Sequence, residues 1–333
     1  MVGNRLGVSF DGFSPIWEAV DVARRAVGVG VSSLWMAEHL GYRQSMISCM
    51  AYLLSTERAM VVPTAVSPYM WHPMSVAMAM ATLGEAAPGR AGIALGSGNP
   101  LFLQESGIEL KKPLRVMREF VECLRALWTG EPVHYKGEAF RLAGARMEFR
   151  PSKPIPIYIA AMGEQMLRLT GQIADGVVLS AGLSSVFVSR SLRLSAEGSR
   201  RAGRDPASLR KAGYLYFAVS QNGADAIEAL RGKLAFLLRN RFLSDNVAHS
   251  GIPIDLDAII AAVARRDMEK ATRLVPDEAV EAFTVGGTPS ECRDRLEAYI
   301  KAGLQEPVLV IFGSPGDQAL ALTLIRDFAG AEE

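Results

Sequence analysis

The sequence predicts an α/β fold of the (β/α)8 barrel class, and three observations carry that prediction. Short apolar runs alternate with helix-like stretches along most of the chain, the pattern of a parallel sheet covered by helices. Eight such runs are present, which favours closure into a barrel over an open sheet. The length of 333 residues suits one barrel with insertions, since such barrels take ~250 residues or more as a single domain.

The clearest unit is residues 155–180, a strand, a small-residue turn, an amphipathic helix and a second strand. Its turn, Ala160-Ala161-Met162-Gly163, leaves backbone bare where the helix opens, and such helix starts attract phosphate. Strands are expected at 6–10, 33–39, 60–67, 91–96, 155–161, 177–180, 212–220 and 308–312. Helices follow the first four at 15–29, 46–57, 73–85 and 113–128.

Two insertions depart from a minimal barrel. Residues 131–149 alternate polar and apolar around Lys136-Gly137 and read as a β-hairpin. Residues 221–287 read as a helical and loop excursion over the barrel mouth. Helical patterns lie at 224–238, 255–264 and 289–302, with a mobile polar loop expected at 244–253. The whole of 1–333 is expected to form one domain.

Composition narrows the function classes. Hydrophobic residues make up 49% of the chain, enough for a large core, and the formal net charge of +1 gives no reason to expect nucleic acid or an anionic membrane as partner. Cys49, Cys123 and Cys292 lie apart on predicted helices, as reduced buried thiols would. No apolar run approaches the ~20 residues of a membrane helix, and no leader pattern precedes the first strand. A cytoplasmic protein is expected.

In a barrel the active site gathers at the C-terminal ends of the strands. Those ends are Glu38-His39, Ser67-Pro68-Tyr69, Gly96-Ser97-Gly98-Asn99, Ala160 to Gly163, and Ser180-Ala181-Gly182. His39 is placed to donate a proton or orient a ring, unless it is a structural histidine bonded to a loop carbonyl. Glu38 alternates to the other side of the strand and is expected to brace a neighbour. His72 is expected to cap or pack at a helix start, and His134 and His249 to lie on the surface. Met70, Met74 and Met78 read as a core stripe, although Met70 and Trp71 also suit the wall of a flat cofactor. No metal-ligand spacing, nucleophile elbow or Walker loop is present.

These residues resemble the luciferase-like flavin and deazaflavin oxidoreductases, within them the methylene-tetrahydromethanopterin reductase group. The likeness runs over roughly residues 5–220 and resumes at 286–311. It is carried by Leu34-Trp-Met-Ala-Glu-His39, Thr64-Ala-Val-Ser-Pro-Tyr-Met-Trp-His-Pro73, Gly89-Arg-Ala-Gly-Ile-Ala-Leu-Gly-Ser-Gly98, 156–179 and Gly286-Gly-Thr-Pro-Ser290. The resemblance implies a barrel binding coenzyme F-420 (8-hydroxy-5-deazaflavin) or FMN at its mouth. It implies a non-prolyl cis peptide at Ala65-Val66, with Ala65, Val66 and Ser67 behind the ring. Glu38 and His39 fall close to ring and substrate and are the implied catalytic pair. Gly96, Ser97 and Gly98 fall near the ribityl chain and Ala161, Met162 and Gly163 at the phosphate, with Asn99, Ala160 and Ser180 also expected to contact the cofactor.

Relatives that oxidise sugar phosphates or secondary alcohols carry a glutamate where this chain has Asn99, which argues against that chemistry. The expected function is hydride transfer between F-420 and a small organic substrate. The alternatives are an FMN-dependent monooxygenase served by a separate flavin or F-420 reductase, and a barrel that binds flavin without turnover. A homodimer is implied by the family.

Overall fold

The computed structural model describes residues 5–330. Its strands are β1 (Gly7–Phe10), β2 (Ser33–Ala37), β3 (Met60–Thr64), β4 (Ile93–Leu95), β5 (Val133–Lys136), β6 (Arg141–Ala145), β7 (Ile157–Ala160), β8 (Gly176–Leu179), β9 (Arg210–Val219), β10 (Val285–Gly287) and β11 (Glu306–Ile311). Eight of them form a parallel row in the order β3-β2-β1-β11-β9-β8-β7-β4. The row closes on itself through parallel bridges from Val61 to Ala91 and from Val66 to Leu95. This is the eight-stranded barrel that the sequence predicts.

β5 and β6 pair antiparallel as a hairpin between the helix Pro113–Leu127 and β7. Its turn rests on Glu119, a buried carboxylate that accepts the backbone N–H groups of Glu138 (3.0 Å), Ala139 (2.8 Å) and Phe140 (3.1 Å). A Cβ on Gly137 would lie 2.2 Å from a Glu119 oxygen, so a side chain at this turn would have to displace the carboxylate that holds it. Short β10 pairs with the far end of β9, outside the barrel row.

Alternation along each strand sends every second side chain into the barrel. Trp35, Met60, Val62, Ala94, Tyr158, Val178, Ala212 and Val308 meet there as a core separate from the one beneath the helices. Trp35 packs edge-on to Tyr158, with ring centroids 5.2 Å apart, and its indole N–H donates to Ser33 Oγ at 2.7 Å. Ser33 Oγ in turn donates to the buried carboxylate of Glu306. The lower barrel is therefore solid.

Two expectations need correction. Residues 244–253 are not a polar loop, because Ser244–Ser250 is a helix held down by Asn246. That side chain is fully buried; its Oδ1 accepts Ser184 N at 2.9 Å and its Nδ2 donates to Gly182 O at 2.9 Å. A polar composition concealed one side chain whose hydrogen bonds are all internal. The methionines also do not form a core stripe: Met78 is 51% exposed on the outer face of the helix Pro73–Ala86. Met74, one turn earlier, is half-buried against the core and Met70 precedes the helix, so the three do not share one face. The three cysteines are buried and reduced, His72 Nδ1 accepts Met74 N at 3.2 Å as a cap, and His134 and His249 are exposed.

The helix Ser244–Ser250 makes a direct test. Replacing Asn246 with Ala strands the Ser184 N–H and the Gly182 C=O without partners, at about 1–3 kcal/mol per buried group. Urea unfolding should show a lower midpoint at unchanged slope. An unshifted midpoint would mean that these bonds contribute nothing net.

Candidate active site at the barrel mouth

Above the Trp35–Tyr158 layer, the next inward positions are Ser9, Ala37, Thr64, Gly96, Ala160, Ser180, Tyr214 and Val310, with Tyr216 one step further up β9. Six of these eight are short residues. Ser9, Ala37, Ala160, Ser180 and Val310 are partly exposed, whereas the layer below is buried. The mouth is thus a recess with a floor of small side chains. Its wall is tight at one side, where a Cβ on Gly96 would lie 2.7 Å from Ala65 Cβ and 3.4 Å from Ala160 Cβ.

That wall is stitched between strands. Val66 N donates to Ala94 O at 2.8 Å, Gly96 N to Val66 O at 3.2 Å, and Ser67 Oγ to Ser97 O at 3.1 Å. The non-prolyl cis peptide is Thr64-Ala65, one residue before the position the resemblance implied. β3 ends at Thr64, three residues before the expected end at 67. Gly98, at φ +91, and Asn99 sit exposed on the rim, leading into the helix Pro100–Glu105.

Glu38 and His39 face opposite ways. The Glu38 carboxylate accepts the Ser45 hydroxyl, Gln44 Nε2 at 3.3 Å and Trp71 Nε1 at 3.0 Å. It thereby ties β2 to the helix Ser45–Ser55 and to the loop after β3. His39 stacks on Phe13 with centroids 5.2 Å apart and meets Phe102 edge-on at 6.5 Å. Neither of its ring nitrogens has a hydrogen-bond partner among the described residues. Burial lowers its pKa, Asp11 opposes this and Arg239 adds to it.

Asp11, Tyr216 and Arg239 complete the mouth, and the sequence reading missed all three. Burial pushes the Tyr216 phenol up to about 12, with Arg239 pulling it down and Asp11 pushing it up. Arg239 closes the helix Ala224–Leu238, lies 3.4 Å over the Phe236 ring and donates to Phe236 O at 3.1 Å. It has no carboxylate partner among the described residues. Asp11 was legible: it stands two positions beyond Ser9 on the inward parity of β1. Arg239 comes from the long excursion and carried no signal.

The opposite side of the mouth ends in the turn after β7. Ala161 N donates to Val178 O at 3.3 Å, and the helix Glu164–Ile173 starts at Gly163 with no side-chain cap. Nothing lies within 4 Å of a Cβ built on Gly163, so the space beside this residue is open. Glu164, which would repel an anion there, is held by Arg168 at 3.0 Å and by Arg190. The helix itself is clamped. A Cβ on Gly171 would lie 1.9 Å from Ser195 O, and one on Gly198 2.0 Å from Arg168 O, so this helix touches Ser185–Arg201 backbone to backbone. An uncapped helix start beside a recess of small residues suits a planar ring system with a phosphate tail. No metal-ligating cluster occurs among the described residues.

The family model described as luciferase-like monooxygenase matches residues 4–306. The chain belongs to this family. Among relatives, 5,10-methylenetetrahydromethanopterin reductase of Archaeoglobus fulgidus is 29% identical, over 93% of each chain. The F-420-dependent glucose-6-phosphate dehydrogenase of Nocardia farcinica is 27% identical, over 94% of this chain and 93% of that one. The fold matches the coenzyme F-420-dependent tetrahydromethanopterin reductase from Methanopyrus kandleri with a TM-score of 0.87 at 24% identity, over 98% of both chains. Luciferase-like architecture and the barrel recess therefore agree.

His39 supplies the test of this geometry. With its folded pKa below the ordinary 6.5, the unfolded chain binds more protons as pH falls through that value. Stability is then lost progressively below pH ~6.5 and is flat above it. A His39→Gln variant should lose part of that acid sensitivity. Following the imidazole by NMR should give a midpoint below 6.5; a midpoint above it would contradict the buried placement.

Proposed function

We propose that the protein is an oxidoreductase that holds coenzyme F-420 in the barrel mouth and passes a hydride between it and a small organic substrate. The observation that carries this reading is the recess, floored by Ser9, Ala37, Gly96, Ala160 and Ser180 and flanked by the uncapped helix start at Gly163. Relatives whose names specify reductases and F-420-dependent dehydrogenases support it. The bound deazaflavin supplies the hydride chemistry, while the protein supplies orientation and exclusion of water.

In this reading Ala65, Val66 and Ser67 back the ring, and Gly96, Ser97, Gly98 and Asn99 line its ribityl chain. Ala160 and Ser180 floor the recess, and Ala161, Met162 and Gly163 take the phosphate on backbone N–H groups. His39, whose proton affinity burial lowers and whose nitrogens have no partner among the described residues, gives or receives a proton at the substrate. Glu38 is a positioning residue that fixes the strand end from which His39 projects. FMN shares the planar tricycle and the phosphate, so the recess admits it as well. The names of the relatives favour F-420 over an FMN-dependent oxygenase fed by a separate reductase.

A homodimer fits the outer face of the helices Ser45–Ser55 and Pro73–Ala86. Neither carries a charge before Glu85, and Ile47, Leu54 and Met78 are 75%, 72% and 51% exposed on them.

Equilibrium titration of the protein with F-420 and with FMN tests the assignment. F-420 should bind at least tenfold more tightly, and an Ala37→Phe variant, which fills the floor, should lose that binding while keeping its circular dichroism spectrum. Tight FMN binding with none for F-420 would turn the assignment to the oxygenase reading. Undiminished F-420 binding by Ala37→Phe would remove the recess as the site.

A further inference from the structure

Outside the mouth, the described surface carries a groove of about 740 Å³ that the hydride-transfer reading leaves without a role. It lies between the helices Pro113–Leu127 and Glu164–Ile173 and is covered by the β5–β6 hairpin. Its floor along the second helix is the stripe Gln165, Leu169 and Gln172. The stripe begins two residues past Gly163, and a smaller cavity lined by Lys112, Arg115, Glu138 and Gln165 adjoins it there.

The charges of this groove are unbalanced. Lys112, Arg115, Arg118, Lys136 and Arg141 face three carboxylates, which leaves a formal excess of two positive charges, and only one of the carboxylates is in an ion pair. Glu119 is taken by the three backbone N–H groups of the hairpin turn. Glu122 accepts the Tyr135 hydroxyl at 2.6 Å. Glu138 is paired with Lys112 at 2.7 Å and Arg115 at 3.5 Å. Arg118 donates only to the neutral amide of Gln172, at 2.7 Å, and so keeps its charge unpaired. Lys136 and Arg141, on facing positions of the hairpin, have no ion-pair partner among the described residues. Three cations along this trough therefore lack an ion-pair partner among the described residues, against two carboxylates held by neutral donors.

The geometry points to this groove as the seat of an oligo-anionic chain that continues from the phosphate held at Gly163, namely the γ-glutamyl tail of the deazaflavin coenzyme. This rests on the F-420 reading above. The lengths match, because Gln165 to Gln172 spans about 10 Å of helix, and a γ-linkage adds two bonds per residue to the ~3.5 Å of an ordinary extended one, so that roughly two γ-glutamyl residues cover it. A carboxylate on each residue then meets one of the spare cations, and the exposed setting makes each pair worth little singly and sensitive to salt. The hairpin thus acquires a purpose: it brings Lys136 and Arg141 over a trough that the bare barrel would lack.

The test compares F-420 bearing a long γ-glutamyl tail with the form bearing none, by fluorescence titration at low and high salt. The tailed form should bind roughly tenfold more tightly at low salt, as a few screened pairs supply, and the advantage should shrink as salt rises. Lys136→Glu combined with Arg141→Glu, both exposed, should erase the advantage and leave the affinity for the tail-less form unchanged. Equal affinity of the wild type for both forms would overturn the groove while leaving the mouth assignment standing. An advantage that survives the double variant would also overturn it. If neither form binds, the coenzyme reading fails, and the groove assignment fails with it.

Discussion

Everything at the mouth depends on how far up the barrel the side chains reach. Eight strands enclose a space that large residues fill completely, and Trp35, Tyr158, Met60 and Val308 do so in the lower half. One inward position higher six of the eight strands switch to serine, alanine, glycine or threonine, with Tyr214 and Val310 on the other two. The contrast is energetic as well as geometric. The filled half gains the hydrophobic and packing stabilisation of a close-packed interior. The upper half forgoes that gain and leaves a cavity that a flat ligand can recover. A barrel packed evenly from end to end would be more stable and would hold nothing.

The polar groups around the recess divide into those that are satisfied and those that are not. Glu38 has three donors and faces away from the opening, so its charge is spent on holding β2 against the neighbouring helix and loop. His39, one residue on, stands on the other face, with no partner for its nitrogens among the described residues and its proton affinity reduced by burial. Adjacent residues on a strand thus serve opposite purposes because the pleat points them apart. Asp11 and Arg239 bracket the imidazole with opposite charges, and their contributions to its pKa run against each other. Burial decides the sign.

Much of this was legible in the sequence, and the limits have physical causes. All eight barrel strands were readable because buried parallel strands are continuous apolar runs. The open helix start at Gly163 was readable from small residues alone. Strand ends were less sharp: β3 stops at Thr64 because the chain bonds sideways to β4 through Val66 and Gly96, a long-range event that no local pattern encodes. Arg239 and Asn246 were invisible for a related reason. Each lies in the excursion, one over the mouth and one under the loop after β8, and polarity in sequence does not distinguish a buried, fully bonded asparagine from a solvated one. Asp11 needed only the inward parity of β1 to be carried two residues further.

The contact of Gly171 and Gly198 with backbone has a consequence for how the family could diversify. Two helices that meet main chain to main chain behave as one rigid block, and neither tolerates even a methyl group at the crossing. The turn that opens one of them is fixed in position by the other. Variation in what this chain grips is thereby displaced from the helix start, which is immovable, to the hairpin and the excursion, which are grafted onto the frame. The frame is conservative by steric necessity, and novelty is left to the attachments.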